Sequence, residues 1–424
     1  MNILLLGSGG REHALAWKMS QSALCDSLFI APGNPGTAQC GTNVAIDVND
    51  FMAIKIFCEA EAIRLVVVGP EEPLVRGITD FLKEQLPGII VVGPAAFAAQ
   101  LEGSKAFAKA FMNRWKIPTA AYFEFDADQY ETGRKYIEQH SLPIVLKADG
   151  LAAGKGVVIA ETHAEALQAF EEMLIGRQFG EASSKVVIEQ YLQGIEVSVF
   201  ALTDGRQYRI IGHAKDYKRI GEGDKGLNTG GMGCVTPVPF MDADFMEKVE
   251  TQIVAPTIKG FEAEGFDYKG FVFFGLMNCN GAPYVIEYNC RMGDPETEVV
   301  MPGLQNDLVE LFVAMEEGQL EAQQIRFDER SIATVMAVSG GYPGSYEKNK
   351  VIHLPVYELT EGSFVFHAGT RQSGADVVTS GGRVLAVTSY GSNITEAVHR
   401  SAKVLEKISF DGMYYRKDIG YEFV

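Results

Sequence analysis

The stretch Val285-Ile286-Glu287-Tyr288-Asn289-Cys290-Arg291 alternates polar and apolar side chains. In an extended chain successive side chains point to opposite faces, so Glu287, Asn289 and Arg291 share one face and Ile286, Tyr288 and Cys290 the other. A carboxylate and an amide oxygen are hard ligands suited to Mg²⁺ shared with phosphate groups. The neighbouring guanidinium can steady an oxyanion through a forked hydrogen bond. A solvated polar face would show the same alternation. Against that stands the continuation, Met292-Gly293-Asp294-Pro295-Glu296-Thr297-Glu298, because a plain surface hairpin has no need of so many carboxylates beside an arginine.

Two glycine-rich stretches have the composition to hold phosphate. Gly7-Ser8-Gly9-Gly10-Arg11-Glu12 falls between an apolar run and a helical one, where backbone N–H groups and the helix dipole favour an anion. A dinucleotide fingerprint needs glycine at position 12 and an acidic residue closing the second strand. Glu12 stands at the first place and the strand closes Ile30-Ala31-Pro32-Gly33-Asn34, so both features count against NAD. A tight turn with no ligand is the other reading. The second stretch, Lys147-Ala148-Asp149-Gly150-Leu151-Ala152-Ala153-Gly154-Lys155-Gly156, is not a Walker A loop. Three residues rather than four separate Gly150 from Gly154, and Gly156 replaces the Ser or Thr. Lying between two strands, it fits a glycine hairpin that closes over a triphosphate, with Lys147 on the strand before it. A purely structural hairpin also fits.

These groups need elements to position them. The first hundred residues alternate strands (2–6, 27–31, 65–68, 89–92) with helices (12–19, 50–62, and one opening at Pro70-Glu71-Glu72-Pro73). That order predicts an open, mostly parallel α/β sheet. After a helix over 105–116, Ile117-Pro118 marks a boundary. A smaller α+β unit spans about 122–192, with strands at 144–147, 157–160 and 185–190 and a helix at 164–174. Strands at 196–203 and 208–214 precede a glycine-rich loop at 221–233. A helical stretch over 244–264, kinked at Pro256, leads to paired strands at 271–279 and 284–288. Short strands (333–338, 364–369, 384–390) and a helix at 395–407 close the chain.

Composition bounds the function. A chain of 424 residues predicts about three domains. With 37 basic and 55 acidic residues the net charge is −18, which argues against nucleic-acid and membrane-surface partners. It does not exclude anionic substrates, since a pocket's potential is set locally. Six scattered cysteines without a CxxC pair fit a reducing cytosol better than disulfides or zinc. The opening apolar run is too short for a signal peptide, and the long uncharged stretches are broken by Pro and Gly. A soluble, cytoplasmic protein is expected.

The motifs together resemble the ATP-grasp superfamily and, within it, the phosphoribosylamine–glycine ligases. The resemblance runs end to end: GSGGREHALAW (7–17), APGNPGT (31–37), GPEEPL (69–74), LKADGLAAGKGV (146–157), NTGGMG (228–233), IEYNCRMGDPE (286–296), GGYPGSY (340–346), FHAGT (366–370) and GGRVLAVT (381–388). It implies a domain of substrate-binding α/β type over 1–102, an ATP-grasp domain over 103–328 with its lid at about 122–192, and a small C-terminal α+β domain over 329–424. It implies that glycine is activated by ATP as glycyl phosphate and joined to 5-phosphoribosylamine, with Mg²⁺ or Mn²⁺, in a monomer. Another ATP-grasp carboxylate–amine ligase or a purine-pathway carboxylase is the alternative. Such chemistry needs positioning and charge neutralisation rather than a protein nucleophile.

Carried over residue by residue, the resemblance assigns Lys105 and Lys147 to ATP phosphates and Gly150, Gly154, Lys155 and Gly156 to the lid loop. Glu189, Tyr191 and Leu192 would meet adenine, and Glu196 the ribose. Glu287 and Asn289 would bind metal, Arg291 would face the transferred group, and Asp216 and Asp294 would orient the glycine amine. Gly9, Gly10, Asn34 and Gly36 would receive phosphoribosylamine. Tyr217 stands where histidine is expected, Leu227 where proline is, and Cys234-Val235-Thr236 for Ala-Tyr-Ser. The strand residues 273–277 carry no carboxylate before the metal pair. The motif histidines His13, His213 and His367 read as structural hydrogen-bond partners.

Overall fold

The opening strand, Asn2–Gly7, is apolar along most of its length and buried on both faces. In the structure, a computed structural model that describes residues 1–151, 156–176, 185–355 and 362–423, it is the centre of a five-stranded parallel sheet. The order is Thr42–Asn43, Ser27–Pro32, Asn2–Gly7, Ile63–Val68, Ile90–Val92. Chain order reverses direction about the first strand, so a crevice opens past its C-terminal end, between Gly7 and Gly69. Alternation along that strand feeds two cores. Ile3 and Leu5 join a cluster that reaches Phe312 and Val387, whereas Leu4 and Leu6 join one that reaches Phe111 and Phe274.

The unit at 122–190 is built differently. Four antiparallel strands, ordered Tyr122–Asp126, Lys185–Gln190, Ile144–Ala148 and Val157–Ala160, carry the helices Tyr130–Gln139 and His163–Leu174. Its core, centred on Phe170 and including Leu146 and Ile188, contains no residue from outside the unit. The strand at 122–126 and the helix at 130–139 were not expected from the sequence. Phe123 is exposed and the helix buries little beyond Gly133 and Ile137, so neither carries a strong apolar period.

A third sheet of eight strands runs through the rest of the chain. Its order is Ala282–Asn289, Gly270–Cys279, Ile195–Thr203, Tyr208–Asp216, Gly233–Thr236, Ser331–Val338, Arg383–Gly391 and Ser363–His367. Three C-terminal strands thus extend the sheet of the body, while Thr370–Ser373 and Asp376–Thr379 pair as a separate two-stranded sheet. The glycine-rich stretch at 221–233 is not one loop: Arg219–Gly221 pairs with Lys225–Asn228 as a hairpin, and Gly233 begins a strand. The expected kink at Pro256 is also relocated. The irregular turn is a π-helical segment, Glu250–Val254, between the helices Ala243–Val249 and Ala255–Glu264. Proline lacks the N–H that would bond one turn back, and a π turn upstream accommodates that gap.

Candidate active site

Beyond the first strand, Gly7, Ser8 and Gly9 line a cavity of about 670 Å³ together with Arg11, Asp47 and Pro70. Gly7 has φ +128°, and a Cβ there would lie 2.4 Å from the Glu12 side chain. Glu12 folds back over the loop: it accepts the Gly9 N–H at 2.6 Å and pairs with Arg11 Nε at 2.6 Å. A carboxylate at position 12 therefore organises the loop, which explains why no glycine stands there. Gly10 opens the helix Gly10–Met19 with almost no room for a side chain, since a Cβ would meet Glu298 at 2.3 Å.

Asn34 and Gly36 are set behind this wall rather than on it. The Asn34 amide donates to the carbonyls of Ser8 and His367, both at 2.8 Å, and its oxygen accepts from Gly36 and Thr37. A Cβ on Gly36 would lie 2.2 Å from the His13 ring. His13 in turn accepts the His367 backbone N–H at 2.8 Å, and burial pulls its pKa down to about 3, so it is a neutral structural partner. The reason is packing: the Asn34 side chain has no group left for a ligand in this arrangement.

A second cavity of about 550 Å³ lies between the four-stranded unit and the eight-stranded sheet, and Arg11 and Asp294 line both cavities. On its floor the strand Ala282–Asn289 keeps the expected alternation at its end, where Tyr288 is buried while Glu287 and Asn289 face the cavity. Upstream a register shift at Ile286 breaks it, so Val285 is buried and Ile286 lines the cavity as well. Glu287 packs over Gly275, its cross-strand partner, and has no hydrogen-bond or ion-pair partner among the described residues. One free carboxylate and one amide oxygen are too few to hold an ion unaided. No cluster of three His, Cys, Asp or Glu with metal-binding geometry occurs among the described residues. The donor set does fit Mg²⁺ or Mn²⁺ whose remaining ligands are phosphate oxygens and water.

Lysines supply the opposite charge. Lys147, buried, lies 3.0 Å from Glu189 Oε2 and donates to the Ile286 carbonyl at 3.3 Å. Lys109, also buried, lies 3.3 Å from the same carboxylate oxygen, and burial lowers its pKa to about 8 against the pull of Glu189. One oxygen of the Glu189 carboxylate is thus shared by two lysines, while Oε1 is buried with no hydrogen-bond partner among the described residues. Tyr191, which follows, is exposed, and neither it nor Leu192 lines the cavity. Lys105 donates to the Gly150 carbonyl at 3.1 Å, tying the base of the glycine loop to the helix Lys105–Arg114. Gly156 lines the cavity; Gly154 and Lys155 lie outside the described residues. Glu196 pairs with Lys218, which is also 3.4 Å from Asp216.

Arg291 is held by two carboxylates from far upstream in the chain, Glu102 at 2.6 Å and Glu71 at 3.4 Å. Burial pushes the Glu102 pKa up to about 7, with Arg291 pulling the other way.

Chains of known identity align along the whole length. Family models described as the N domain, the ATP-grasp (A) domain and the C domain of phosphoribosylglycinamide synthetase match residues 1–102, 103–297 and 332–422. A phosphoribosylamine–glycine ligase of Chlorobaculum tepidum is 48% identical over 99% of both chains. One from Vibrio cholerae is 46% identical over 100% of this chain and 99% of that one. The crystal structure of the Thermotoga maritima phosphoribosylamine–glycine ligase superposes with a TM-score of 0.83 at 36% identity, covering 99% of this chain and 100% of the other. The chain belongs to the phosphoribosylamine–glycine ligase family. It is an ATP-dependent ligase by that membership. The biotin carboxylase domain of a Hydrogenobacter thermophilus 2-oxoglutarate carboxylase, at 16% identity and TM-score 0.73, shares the fold.

Two contributors to the site of this phosphoribosylamine–glycine ligase family member escaped sequence reasoning. Arg383, from the C-terminal strands, lies 3.0 Å from Asp294 Oδ1 and donates to the carbonyls of Asp294 and Gly230 at 2.7 and 2.9 Å. Asp294 is therefore neutralised by an arginine. Glu296 also stands on the cavity wall, with no ion-pair partner among the described residues, and accepts the Ser198 hydroxyl at 3.1 Å. Burial first and Asp216 second hold its pKa well above the ordinary carboxylate range. The run Gly293–Glu298 signalled a carboxylate cluster, but nothing in it ranks Glu296 above Asp294. No helix among the described residues is long and apolar enough to cross a membrane.

Proposed function

We propose that the protein joins glycine to 5-phosphoribosylamine with ATP, in de novo purine biosynthesis. The observation that carries the reading is the shared wall: a phosphate-loop cavity opens, at Arg11 and Asp294, onto a cavity equipped for a nucleotide and a metal. Glycine's carboxylate attacks the γ-phosphorus of ATP, ADP leaves, and glycyl phosphate forms. The phosphoribosylamine nitrogen then attacks the acyl carbon, phosphate leaves, and the nitrogen loses a proton to give glycinamide ribonucleotide.

Lys105 and Lys147 hold ATP phosphates beneath the Gly150–Gly156 loop, to which Gly154 and Lys155 belong. The backbone at Glu189, Tyr191 and Leu192 meets adenine, and Glu196 the ribose. Glu287 and Asn289 hold Mg²⁺ or Mn²⁺, which when bound neutralises phosphate charge. Arg291, fixed by Glu102 and Glu71, steadies the transferred group. Asp216 and Glu296 receive the glycine ammonium, and Asp294 with Arg383 shapes the passage between cavities. The Gly9–Gly10 loop takes the phosphate of phosphoribosylamine, with Asn34 and Gly36 behind it. The chain divides at 102 and 328, with 122–192 as lid, and works as a cytoplasmic monomer without nucleic-acid or membrane partners.

The deciding assay is ADP release with ATP, phosphoribosylamine and one acid at a time. Glycine should drive release. Bicarbonate or formate doing so while glycine fails would replace this function with a carboxylase or formyl-transfer reaction.

A further inference from the structure

Asp216 lies where the eight-stranded sheet passes from the body to the C-terminal strands: Lys215 and Asp216 pair with Val235 and Cys234. The residues on either side of it are gripped by the end of the chain. Tyr217 is fully buried, and its hydroxyl donates to Glu422 Oε2 at 2.7 Å. Lys215 Nζ lies 2.8 Å from Glu422 Oε1 and 3.8 Å from the centroid of the Tyr217 ring. One carboxylate thus closes a triangle whose other corners flank Asp216 in sequence. Burial, and then Glu422 itself, push the Tyr217 phenol far upward, so it remains a donor at any working pH.

The tail is anchored a second time. The Arg416 side chain is completely buried; it forks onto Asp418 at 2.8 Å and donates to Asp224 at 2.7 Å and to the Arg219 carbonyl at 3.1 Å. The hairpin 219–228 is therefore held by the same segment, and its last residue, Asn228, lines the cavity with Asp216 and Lys218. Chain ends ordinarily fray unless tied down; here buried charge-assisted bonds do the tying. A histidine, the residue the family pattern leads one to expect at 217, has no phenolic oxygen to reach Glu422.

We propose that Glu422 is a positioning residue: through the Tyr217 hydroxyl and the Lys215 ammonium it fixes the aim of Asp216 into the cavity and so sets the affinity for the amino-acid substrate. This rests on the reading of Asp216 as a contact to the glycine ammonium group. Steady-state kinetics on the full chain, varying glycine and ATP separately, test it with Glu422→Gln, Tyr217→Phe, their double variant and Asp216→Asn. Each single change in the tie should raise the glycine KM about ten-fold. The ATP KM and kcat should stay within about two-fold. The double variant should be no worse than the worse single one, because both remove one linkage.

An unchanged glycine KM in Glu422→Gln and Tyr217→Phe, with Asp216→Asn raising it, overturns the positioning role and leaves the substrate reading standing. An unchanged glycine KM in Asp216→Asn overturns the substrate reading and the inference with it. A fall in melting temperature with every kinetic constant moving together assigns the tail a structural role alone, which also overturns the proposal. Tyr217→Phe keeps the buried ring, so one variant stays folded for the comparison.

Discussion

The first hundred residues and the unit at 122–190 both cover the body, but they are attached in opposite ways. The parallel sheet shares its cores with the rest of the chain: Leu4 and Leu6 pack in one cluster with Phe111 and Phe274. The four-stranded unit keeps a closed core around Phe170. Its described ties to the body include polar ones: Glu189 to Lys109, Lys147 to the Ile286 carbonyl, Lys105 to the Gly150 carbonyl, and Ser104 to Asp149 at 3.0 Å. An apolar merger fixes two units as one, because separating them exposes surface to water. A polar seam exchanges its partners for water or ligand at small net cost. The first attachment suits a cavity whose shape must persist, the second a cover that opens for a nucleotide.

The largest expected effect is at the floor of the seam. Glu287→Ala should lower turnover by about 10³-fold or more while leaving the fold intact, because Glu287 is exposed and unpartnered among the described residues. ADP release and circular dichroism check both halves, and near-normal turnover would remove the metal role. Next come the two cores. Phe170→Ala should cost about 3–5 kcal/mol and Leu4→Ala about 2–5 kcal/mol, but in different places. Calorimetry should show the first splitting off an early transition for the unit at 122–190, and the second shifting the main transition. A single shared shift for Phe170→Ala would break the contrast.

A smaller effect belongs to the seam itself. Glu189→Gln leaves Lys147 and Lys109 buried without their common counter-charge, and should raise the ATP KM by roughly 10–100-fold with the glycine KM little changed. Equal effects on both substrates would mean that the seam does not belong to the nucleotide side. Smallest is a pH effect on the body side. Glu296 is held above the ordinary carboxylate range, so it stays protonated further toward neutrality and ionises as pH rises. In the proposed site the ammonium group of glycine needs the ionised form, so the glycine KM should fall several-fold as pH rises through neutrality. Glu296→Gln should flatten that dependence; an unchanged slope would assign it to another group.

Much of this was legible along the chain. The face carrying Glu287, Asn289 and Arg291 follows from strand alternation, and four of the five strands of the parallel sheet from their apolar runs and order; Thr42–Asn43, two residues long, carries no such run. Misjudged elements share a cause. The strand at 122–126 and the hairpin at 219–228 bury too little apolar surface to impose a period, and the π turn at 250–254 answers to a proline six residues after its first residue. Asn34 and Gly36 stand in a motif, yet a motif does not say which side of a wall a side chain takes. Asp294 and Glu296 are two positions apart with the same chemistry, and Arg383, about ninety residues on, decides between them by neutralising the first.

Local chemistry and period by themselves determined most of the strand elements, the two glycine-rich turns and the polar face of Glu287, Asn289 and Arg291, because those depend on neighbours within a few residues. Tertiary structure alone decided that three C-terminal strands continue the body's sheet, that Arg11 and Asp294 join the two cavities, and that the chain's last turn grips the strand bearing Asp216. Each of these is a contact across about a hundred residues or more. Its energy comes from burial and pairing of groups that the sequence keeps far apart.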